Sequence, residues 1–351
     1  MQPLPVSCPH ESVAALISVS AVEIVERARQ LAGNLLFPTA LETDRLLAPP
    51  RSHLDAFADA GLYGLTSPTA VGGLGVDPAT TFATIEALAG GCLSTTFVWL
   101  QHLNTARTIA ALGLPTATAL AAGTLRSGIA FAHLRRPGLP MLQARRVGAQ
   151  WRLDGDAPWV SGWGCIDVVH VASINADAPD AIVWTLLDAR ESSTLGMSRL
   201  ALAAMNATST VELHARGHLV HDDRVTLIEP LATWLDRDAM GLRSNGSLAL
   251  GLTSRCVTLL DEPGSLGNRL AAARTALDAA DNPDATANAR ANACLLAVDA
   301  ATALVVRGGG GALKIDAHAQ RLAREAMFLL VQGQTTEIRA QQLLRLTGKR
   351  H

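Results

Sequence analysis

The sequence is poor in aromatic side chains and in net charge. Aromatic residues make up 4% of its 351 residues, with a single tyrosine, and the formal charge is −2 at pH 7. A nearly neutral chain offers little electrostatic attraction to nucleic acid or to an anionic membrane, so we expect neither partner. The low aromatic count and the abundant alanine favour helices that pack closely through small side chains.

Cysteine pairs and a signal sequence are also missing. The cysteines are scattered, without a C-x-x-C pair, at Cys8, Cys92, Cys165, Cys256 and Cys294. This odd, widely spaced set predicts buried thiols, with no disulfide and no metal site. The first residues lack the basic and apolar segments of a signal peptide, and the cytoplasm is therefore the expected location.

Hydrophobic periodicity divides the chain into three parts. Apolar residues recur at helical spacing before residue 127 and again after residue 229. Between these parts, runs such as Val168–Ala172 and Ala181–Leu187 predict six or more short strands of a small barrel or sandwich. The predicted fold class is α+β, with an N-terminal helical domain (1–126), a middle β-barrel domain (127–229) and a C-terminal four-helix-type domain (230–351).

The stretch 151–164 carries the residues most suggestive of chemistry. Asp154-Gly155 predicts a hairpin turn between two strands. Beyond it, Trp159, Ser161 and Trp163 place two indoles and a hydroxyl among glycines, which let a flat ligand approach the backbone closely. The segment suits an aromatic cofactor, although a tryptophan in a strand more often belongs to a core or an interface.

Three further features leave alternatives open. The glycine-rich loop Pro68–Gly75 lacks a P-loop lysine, which argues against a phosphate cradle. The polar break Gln332–Thr336 between two helices could hold an anion or a ribose on its backbone donors, or it could be an ordinary turn. His102 lies on an apolar helix, where a histidine is usually a hydrogen-bonded core residue.

Four motifs in the same order resemble the acyl-CoA dehydrogenase family. Gly61–Gly75 is similar to the family stretch "GL.GL..PE.YGGLG", and Trp151–Ser161 is similar to "Y.LNG.K.WIT". Ser209–Val225 is similar to the strand pair before the second helical domain, and Gly308–Ala326 is similar to "GG.G…R..RDA". The resemblance covers nearly the whole chain. It implies helical, β and four-helix domains around FAD, and a dimer or, more usually, a tetramer.

The resemblance also implies a flavin site. Trp159 and Ser161 match the tryptophan and the hydroxyl residue that flank the isoalloxazine, with the hydroxyl near N5, and Thr335 matches the threonine that meets the adenosine half. The strand along the pyrimidine ring of the flavin is matched by Phe131, Ala132 and His133. The glycine loop that comes from the neighbouring subunit is matched by Gly308, Gly309 and Gly310. FAD is the expected cofactor and FMN the less favoured one.

Two departures from the family concern catalysis and cofactor affinity. Gly333 falls where the family carries the glutamate that removes a proton, and the alternative position on an earlier helix falls near Gly241 and Leu242. An acidic segment, 261–269, replaces the arginine that meets the FAD pyrophosphate. Without a substitute from Arg269 or Arg274, flavin affinity should fall about 10- to 100-fold, so flavin would be held weakly or not at all.

Three functions fit this pattern. The first is a flavin-dependent oxidoreductase on an acyl thioester or related small molecule, for which Glu325 and Glu337 are the nearest carboxylates in sequence. The second is a flavin-dependent monooxygenase, which needs no glutamate and for which His102 and His133 are candidates near the flavin. The third is a non-catalytic subunit that assembles with a homologous chain. The acyl group remains unidentified.

Overall fold

The computed structural model describes residues 20–135 and 142–348, in which helices flank a single β-sheet. The helices before the strands are α1 (Ala21–Leu31), α2 (Ala40–Arg45), α3 (Arg51–Asp59), α4 (Pro78–Ala89), α5 (Leu93–Ala111) and α6 (Ala117–Ala122). The strands are β1 (Ser127–Ala130), β2 (Gln143–Val147), β3 (Gln150–Val160), β4 (Val168–Asn175), β5 (Ala181–Asp188), β6 (Leu195–Arg199), β7 (Val211–His221) and β8 (Val225–Pro230). The helices after the strands are α7 (Leu231–Leu259), α8 (Leu266–Asp278), α9 (Pro283–Gly308), α10 (His318–Val331) and α11 (Thr336–Thr347).

Several helices begin at residues that satisfy free backbone donors. Ser20 and Glu23 form a reciprocal capping box at the start of α1. Asp77 accepts a hydrogen bond from the Thr80 amide at 2.7 Å at the start of α4, and Asn282 caps α9 in the same way. The predicted order of helices, strands and helices is therefore confirmed, while the division into three domains stays a prediction.

The sheet is open and has the hydrogen-bonded order β6-β7-β3-β2-β4-β5-β8, with β1 parallel to β4. No pairing joins β6 to β8 among the strands described, so the predicted barrel or sandwich takes the form of one open sheet. Strand β6 was not predicted because its sequence, Leu-Gly-Met-Ser-Arg, contains no β-branched side chain. Helix α8, which begins within the acidic segment 261–269, was likewise not predicted.

The predicted turn at Asp154-Gly155 is wrong. Both residues lie inside β3, which pairs with β2 and β7, and the hairpin turn falls at residues 148–149. A register shift between Leu153 and Asp154 absorbs the irregular backbone, and Asp154 Oδ1 accepts a hydrogen bond from the Gly217 amide at 2.7 Å. A β-bulge therefore replaces the expected reversal.

Small residues bring the two helical regions into close contact. A β-carbon added to Gly251 on α7 would lie 2.3 Å from the Glu86 carbonyl oxygen on α4, so only glycine permits this crossing. Helix α9 packs against α7, α8, α10 and α11. The segment Pro283–Leu313 is apolar and long enough to cross a membrane, but 56% of its most apolar window is buried inside the protein, as expected for the central helix of a bundle.

Candidate functional site

Trp159 presents an exposed indole at a distortion in β3. Its φ is 64°, an uncommon value for a bulky residue, and 43% of its surface is exposed. The register with β7 shifts between Ala157 and Val160, which are both buried, so the backbone turns Trp159 away from the core. The sheet thus supplies a flat aromatic surface that no described residue covers fully.

Ser161 begins a row of hydroxyl groups that runs into the protein. Ser161 Oγ lies 2.8 Å from Thr210 Oγ1, which lies 2.6 Å from Thr208 Oγ1, and Thr208 donates to the Met205 carbonyl at 2.7 Å. Because a carbonyl can only accept, the single protons of these hydroxyls all point the same way, towards Met205. Ser161 therefore donates inward, and its oxygen keeps acceptor capacity alone.

The strand end at Phe131–His133 contributes mainly to the interior. The Phe131 ring meets the rings of Trp184 and Trp234 with centroids 6.5 and 5.4 Å away, and Ala132 is half-buried. His133 is buried, its Nε2 donates to the Ala172 carbonyl at 3.0 Å, and burial lowers its pKa to about 4. The His133 ring is thus a neutral core group at pH 7.

His102 also belongs to the core. Its Nδ1 accepts a hydrogen bond from the Ser127 amide at 3.0 Å, and its Nε2 donates to the Leu120 carbonyl at the same distance. Burial lowers its pKa to about 4. Both ring nitrogens are occupied within the protein, which agrees with the interpretation of His102 as a satisfied core histidine.

Two hydrogen-bond donors lie beside Gly333, and among the described residues no carboxylate lies closer than 3.8 Å to the position of the missing side chain. Gly333 has a φ of 58°, and a β-carbon added to it would lie 3.0 Å from Asn245 Nδ2 and 3.6 Å from Arg135 Nη1. Glu325 is buried and accepts a hydrogen bond from Arg321 at 2.7 Å, whereas Glu337 is exposed. Gly241 is exposed and Leu242 is buried, so neither adds an acceptor.

The residues matched to the dinucleotide make contacts of their own, separate from those of Arg135 and Asn245 at Gly333. Thr335 caps α11 by accepting a hydrogen bond from the Ile338 amide at 3.3 Å, and the glycines Gly308, Gly309 and Gly310 are exposed at the end of α9. Arg269 is paired with Asp299, and Arg274 forms a two-pronged pair with Glu86. Neither arginine in the predicted phosphate segment is therefore free of a carboxylate.

Two small groups of the predicted site residues come together in the structure. Trp159 and Ser161 belong together at the end of β3, whereas Phe131 is linked to Gly333 through Arg135, whose guanidinium lies 5.0 Å from the Phe131 ring centre. Sequence reasoning missed Asn245 as a site residue, because its neighbours are distant in the chain and no local motif marks it. Two open clefts of about 420 and 330 Å³ lie elsewhere, beside Arg126 and Arg307.

Comparisons with known proteins agree with this architecture. The sequence model of the domain described as "Acyl-CoA dehydrogenase, N-terminal domain" matches residues 20–118. The butyryl-CoA dehydrogenase of Megasphaera elsdenii superposes with a TM-score of 0.77 at 18% identity, covering 93% of this chain and 97% of that one. The chain has the fold of the acyl-CoA dehydrogenases, and its residues 20–118 match the N-terminal domain of that family. A glutaryl-CoA dehydrogenase from Mycobacterium smegmatis, in complex with FADH2, superposes with a TM-score of 0.76 at 17% identity, covering 94% and 95% of the two chains.

One curated relative of this chain has an activity other than dehydrogenation in its name. The 3-sulfinopropanoyl-CoA desulfinase of Variovorax paradoxus is 25% identical over an alignment of 227 residues that covers 61% of this chain and 57% of that protein. The alignment thus spans little more than half the length of the relative. The two sequences are similar over this length, and the reaction of the relative can serve here only as a hypothesis.

Proposed function

We propose that this chain is a flavin-dependent enzyme of the acyl-CoA dehydrogenase type that acts on an acyl thioester. The observation that carries the proposal is the exposed Trp159 indole next to the Ser161 oxygen, which together offer a flat surface and a hydrogen-bond acceptor. The match of residues 20–118 to the N-terminal domain of the acyl-CoA dehydrogenases and the FADH2 complex of a structural neighbour support the same conclusion.

The residues at this corner fit the ring system of a flavin better than the segment 261–274 fits its phosphates. Trp159 would stack on the isoalloxazine, and Ser161 would accept a hydrogen bond from it. Arg269 and Arg274 are engaged by carboxylates, so the pyrophosphate would need other donors. A bound flavin would either accept a hydride or form part of the binding site without changing its oxidation state. FAD is the proposed flavin, held more weakly than usual.

The donors at Gly333 favour a reaction that needs no carboxylate base. Removal of a sulfinate group from an acyl thioester is one such reaction, and it is suggested by the name of the curated relative. In its balanced form, the C–S bond of R-CH2-SO2⁻ breaks, water supplies one oxygen to the departing HSO3⁻, and one hydrogen becomes part of R-CH3. The bound flavin would undergo no net reduction.

Other readings of the sequence receive less support. The monooxygenase hypothesis used His102 and His133, but both rings are buried and hydrogen-bonded to backbone. A non-catalytic subunit remains the alternative that depends only on the missing glutamate and phosphate arginine. The exposed glycine loop at Gly308–Gly310 supports a homodimer or tetramer, and the cytoplasm is the proposed location.

Substitution of Trp159 tests the cofactor proposal. The Trp159→Ala variant should bind FAD about 10-fold more weakly than the wild-type protein, because it loses the stacking surface. Quenching of flavin fluorescence during titration measures the dissociation constant. Ile228→Ala, which truncates another exposed apolar side chain, is the control and should leave the constant unchanged. Equal affinities for Trp159→Ala and wild type would remove the main support for the proposal.

The reaction type is tested with a set of acyl thioesters under anaerobic conditions. Dehydrogenation bleaches the flavin absorbance in proportion to substrate, whereas desulfination of 3-sulfinopropanoyl-CoA releases sulfite without bleaching. We expect sulfite release and an unchanged flavin spectrum. Bleaching by simple acyl-CoAs would favour the dehydrogenase instead, and the absence of both signals with flavin-loaded protein would favour the non-catalytic subunit.

A further inference from the structure

The open side of Gly333 is lined by two donors that have no acceptor among the described residues. Arg135 Nη1 and Asn245 Nδ2 both face the position of the absent side chain, and neither makes a hydrogen bond to the residues that the structure describes. We propose that these two groups form a binding site for an oxyanion of the –XO2⁻ type, a carboxylate or sulfinate, carried on the acyl group of the substrate. The inference rests on the proposed acyl thioester function and names its substrate class.

Arg135 is held in place by contacts that leave one nitrogen free. Its Nε and Nη2 donate to the two carboxylate oxygens of Asp238 at 2.7 and 2.6 Å, and its guanidinium lies against the Phe131 ring. Both members of this ion pair are mostly buried, at 16% and 14% side-chain exposure. The ion pair therefore fixes the Arg135 side chain with Nη1 directed towards Gly333. Binding of an anion there costs little further side-chain entropy.

Asn245 is oriented by a chain of amides that starts at a buried arginine. Arg290 Nη2 donates to Gln332 Oε1 at 2.9 Å, and Gln332 Nε2 donates in turn to Asn245 Oδ1 at 3.4 Å. Since the guanidinium can only donate, the oxygen and nitrogen ends of both amides are fixed by it. The nitrogen end of Asn245 must then face Gly333. The hydrogen bonds that start at Arg290 thus orient both amides with their donor groups towards the site.

Arg290 also supplies positive charge that no described carboxylate neutralises. The side chain is 1% exposed, and its partners are Cys294 Sγ, the Gln332 carbonyl and the Gln332 side-chain oxygen. Burial raises the pKa of the Cys294 thiol, which donates to the Leu329 carbonyl and stays neutral. Within the described residues no carboxylate pairs with Arg290. A buried guanidinium without a counter-charge is costly, and an anion at Gly333 would offset that cost.

The arrangement selects an anionic group over a neutral one. Asp238 pairs with Arg135, whereas Arg290 has no carboxylate partner among the described residues and so adds unbalanced positive charge next to the site. Two donors on adjacent sides of Gly333 match the two oxygens of a carboxylate or sulfinate. A methyl group at the same place would leave both donors dehydrated and without acceptors, which is unfavourable.

Two acyl thioesters of equal length test the site. Succinyl-CoA carries a terminal carboxylate where butanoyl-CoA carries a methyl group, and both are titrated calorimetrically into the purified full-length protein under anaerobic conditions. Wild-type protein should bind succinyl-CoA about 10- to 100-fold more tightly. In Asn245→Asp, a repulsive carboxylate replaces the donor, and the preference should disappear. The double variant Arg135→Gln/Asp238→Asn removes the other donor at constant net charge and should also abolish it.

A matched control and a free anion separate the possible outcomes. Arg274→Gln/Glu86→Gln removes a similar two-pronged pair elsewhere and should keep the preference. Equal binding of the two thioesters by wild type overturns the oxyanion site and leaves the acyl thioester function intact. If neither thioester binds but methanesulfinate does, with loss in Asn245→Asp, the site stands and the proposed function fails. If none of the three binds, both are wrong.

Discussion

Arg321 and Arg290 are both buried in the C-terminal bundle, at 1% exposure each, but their surroundings differ. Arg321 donates to Glu325 Oε1 one helical turn further along α10, at 2.7 Å. Arg290 meets only neutral acceptors within the described residues. The comparison separates an arginine whose counter-charge lies four residues away on the same helix from one that has no carboxylate partner in the described chain and that we propose acts on a ligand.

The surroundings of Arg321 reinforce its structural role. Arg324 on the same helix pairs with Asp44, and thereby connects α10 to the helix α2. His318 Nδ1 lies 3.3 Å from Arg321 Nη2, and its ring stacks on Phe37 at 4.2 Å between centroids. These contacts join the first and last parts of the described chain, whereas the contacts of Arg290 lead towards Gly333.

Acidification should have the largest effect on stability, because it creates new buried charges without partners. Burial lowers the pKa of His102 and His133 to about 4 and that of His170 to about 3, against about 6.5 in the unfolded chain. The unfolded state therefore binds more protons between these values. Stability is complete above pH 6.5 and declines as the pH falls towards 4, by about 2 kcal/mol per histidine at pH 5.

Urea denaturation at pH 7 and pH 5 measures this loss. The His170→Phe variant should reduce the difference between the two pH values by about a third, since one of three similar groups is removed. Its ring can keep the contact with Trp184, whose centroid lies 4.6 Å away. Equal unfolding free energies at the two pH values would show that these histidines do not resist protonation as their burial implies.

Removal of the counter-charge of Arg321 should have the next largest effect. The Glu325→Leu variant leaves a buried guanidinium unpaired and should lose about 3 to 5 kcal/mol of unfolding free energy. The double variant Arg321→Met/Glu325→Leu removes both charges and should recover most of that loss. Chemical denaturation of the three proteins side by side provides the measurement. A single variant as stable as wild type would contradict the scaffold role of the pair.

Removal of Arg290 should have the smallest effect on stability. In Arg290→Met the lost hydrogen bonds to Gln332 are offset by the removal of an uncompensated buried charge, so the unfolding free energy should change by about 1 kcal/mol or less. The same variant should weaken the preference for succinyl-CoA over butanoyl-CoA. A destabilisation as large as that of Glu325→Leu would remove the contrast between the two arginines.

The sequence was sufficient for the order of elements and for the fold, and insufficient for the cluster around Gly333. Ordered motifs such as Gly61–Gly75 and Trp151–Ser161 locate the fold because each is local and its spacing to the next is preserved. Arg135, Asn245 and Arg290 come from three separate elements, and only packing brings them to one place. The matching of Gly333 to the base position, and of the flavin contacts to individual residues, stays a prediction.

Local misjudgements had identifiable causes. Asp154-Gly155 has the composition of a tight turn, but pairing of β3 with two neighbours over its length outweighs that local preference. The acidic segment 261–269 hides the start of α8, whose apolar positions Leu266, Leu270 and Leu277 contact the core. In both places long-range packing decided between conformations that the local sequence leaves open.

The row of hydroxyls behind Ser161 gives the corner at Trp159 a fixed polarity. Reversing the row would take the Thr208 proton away from the Met205 carbonyl, so the protein holds it in one direction. A nitrogen heterocycle that carries N–H opposite Ser161 would donate a hydrogen bond to the Ser161 oxygen. The same ring without that hydrogen would place its nitrogen lone pair against a lone pair of the Ser161 oxygen, which is repulsive. The corner can thus distinguish the protonation states of its ligand by hydroxyl orientation alone, before any charged group is involved.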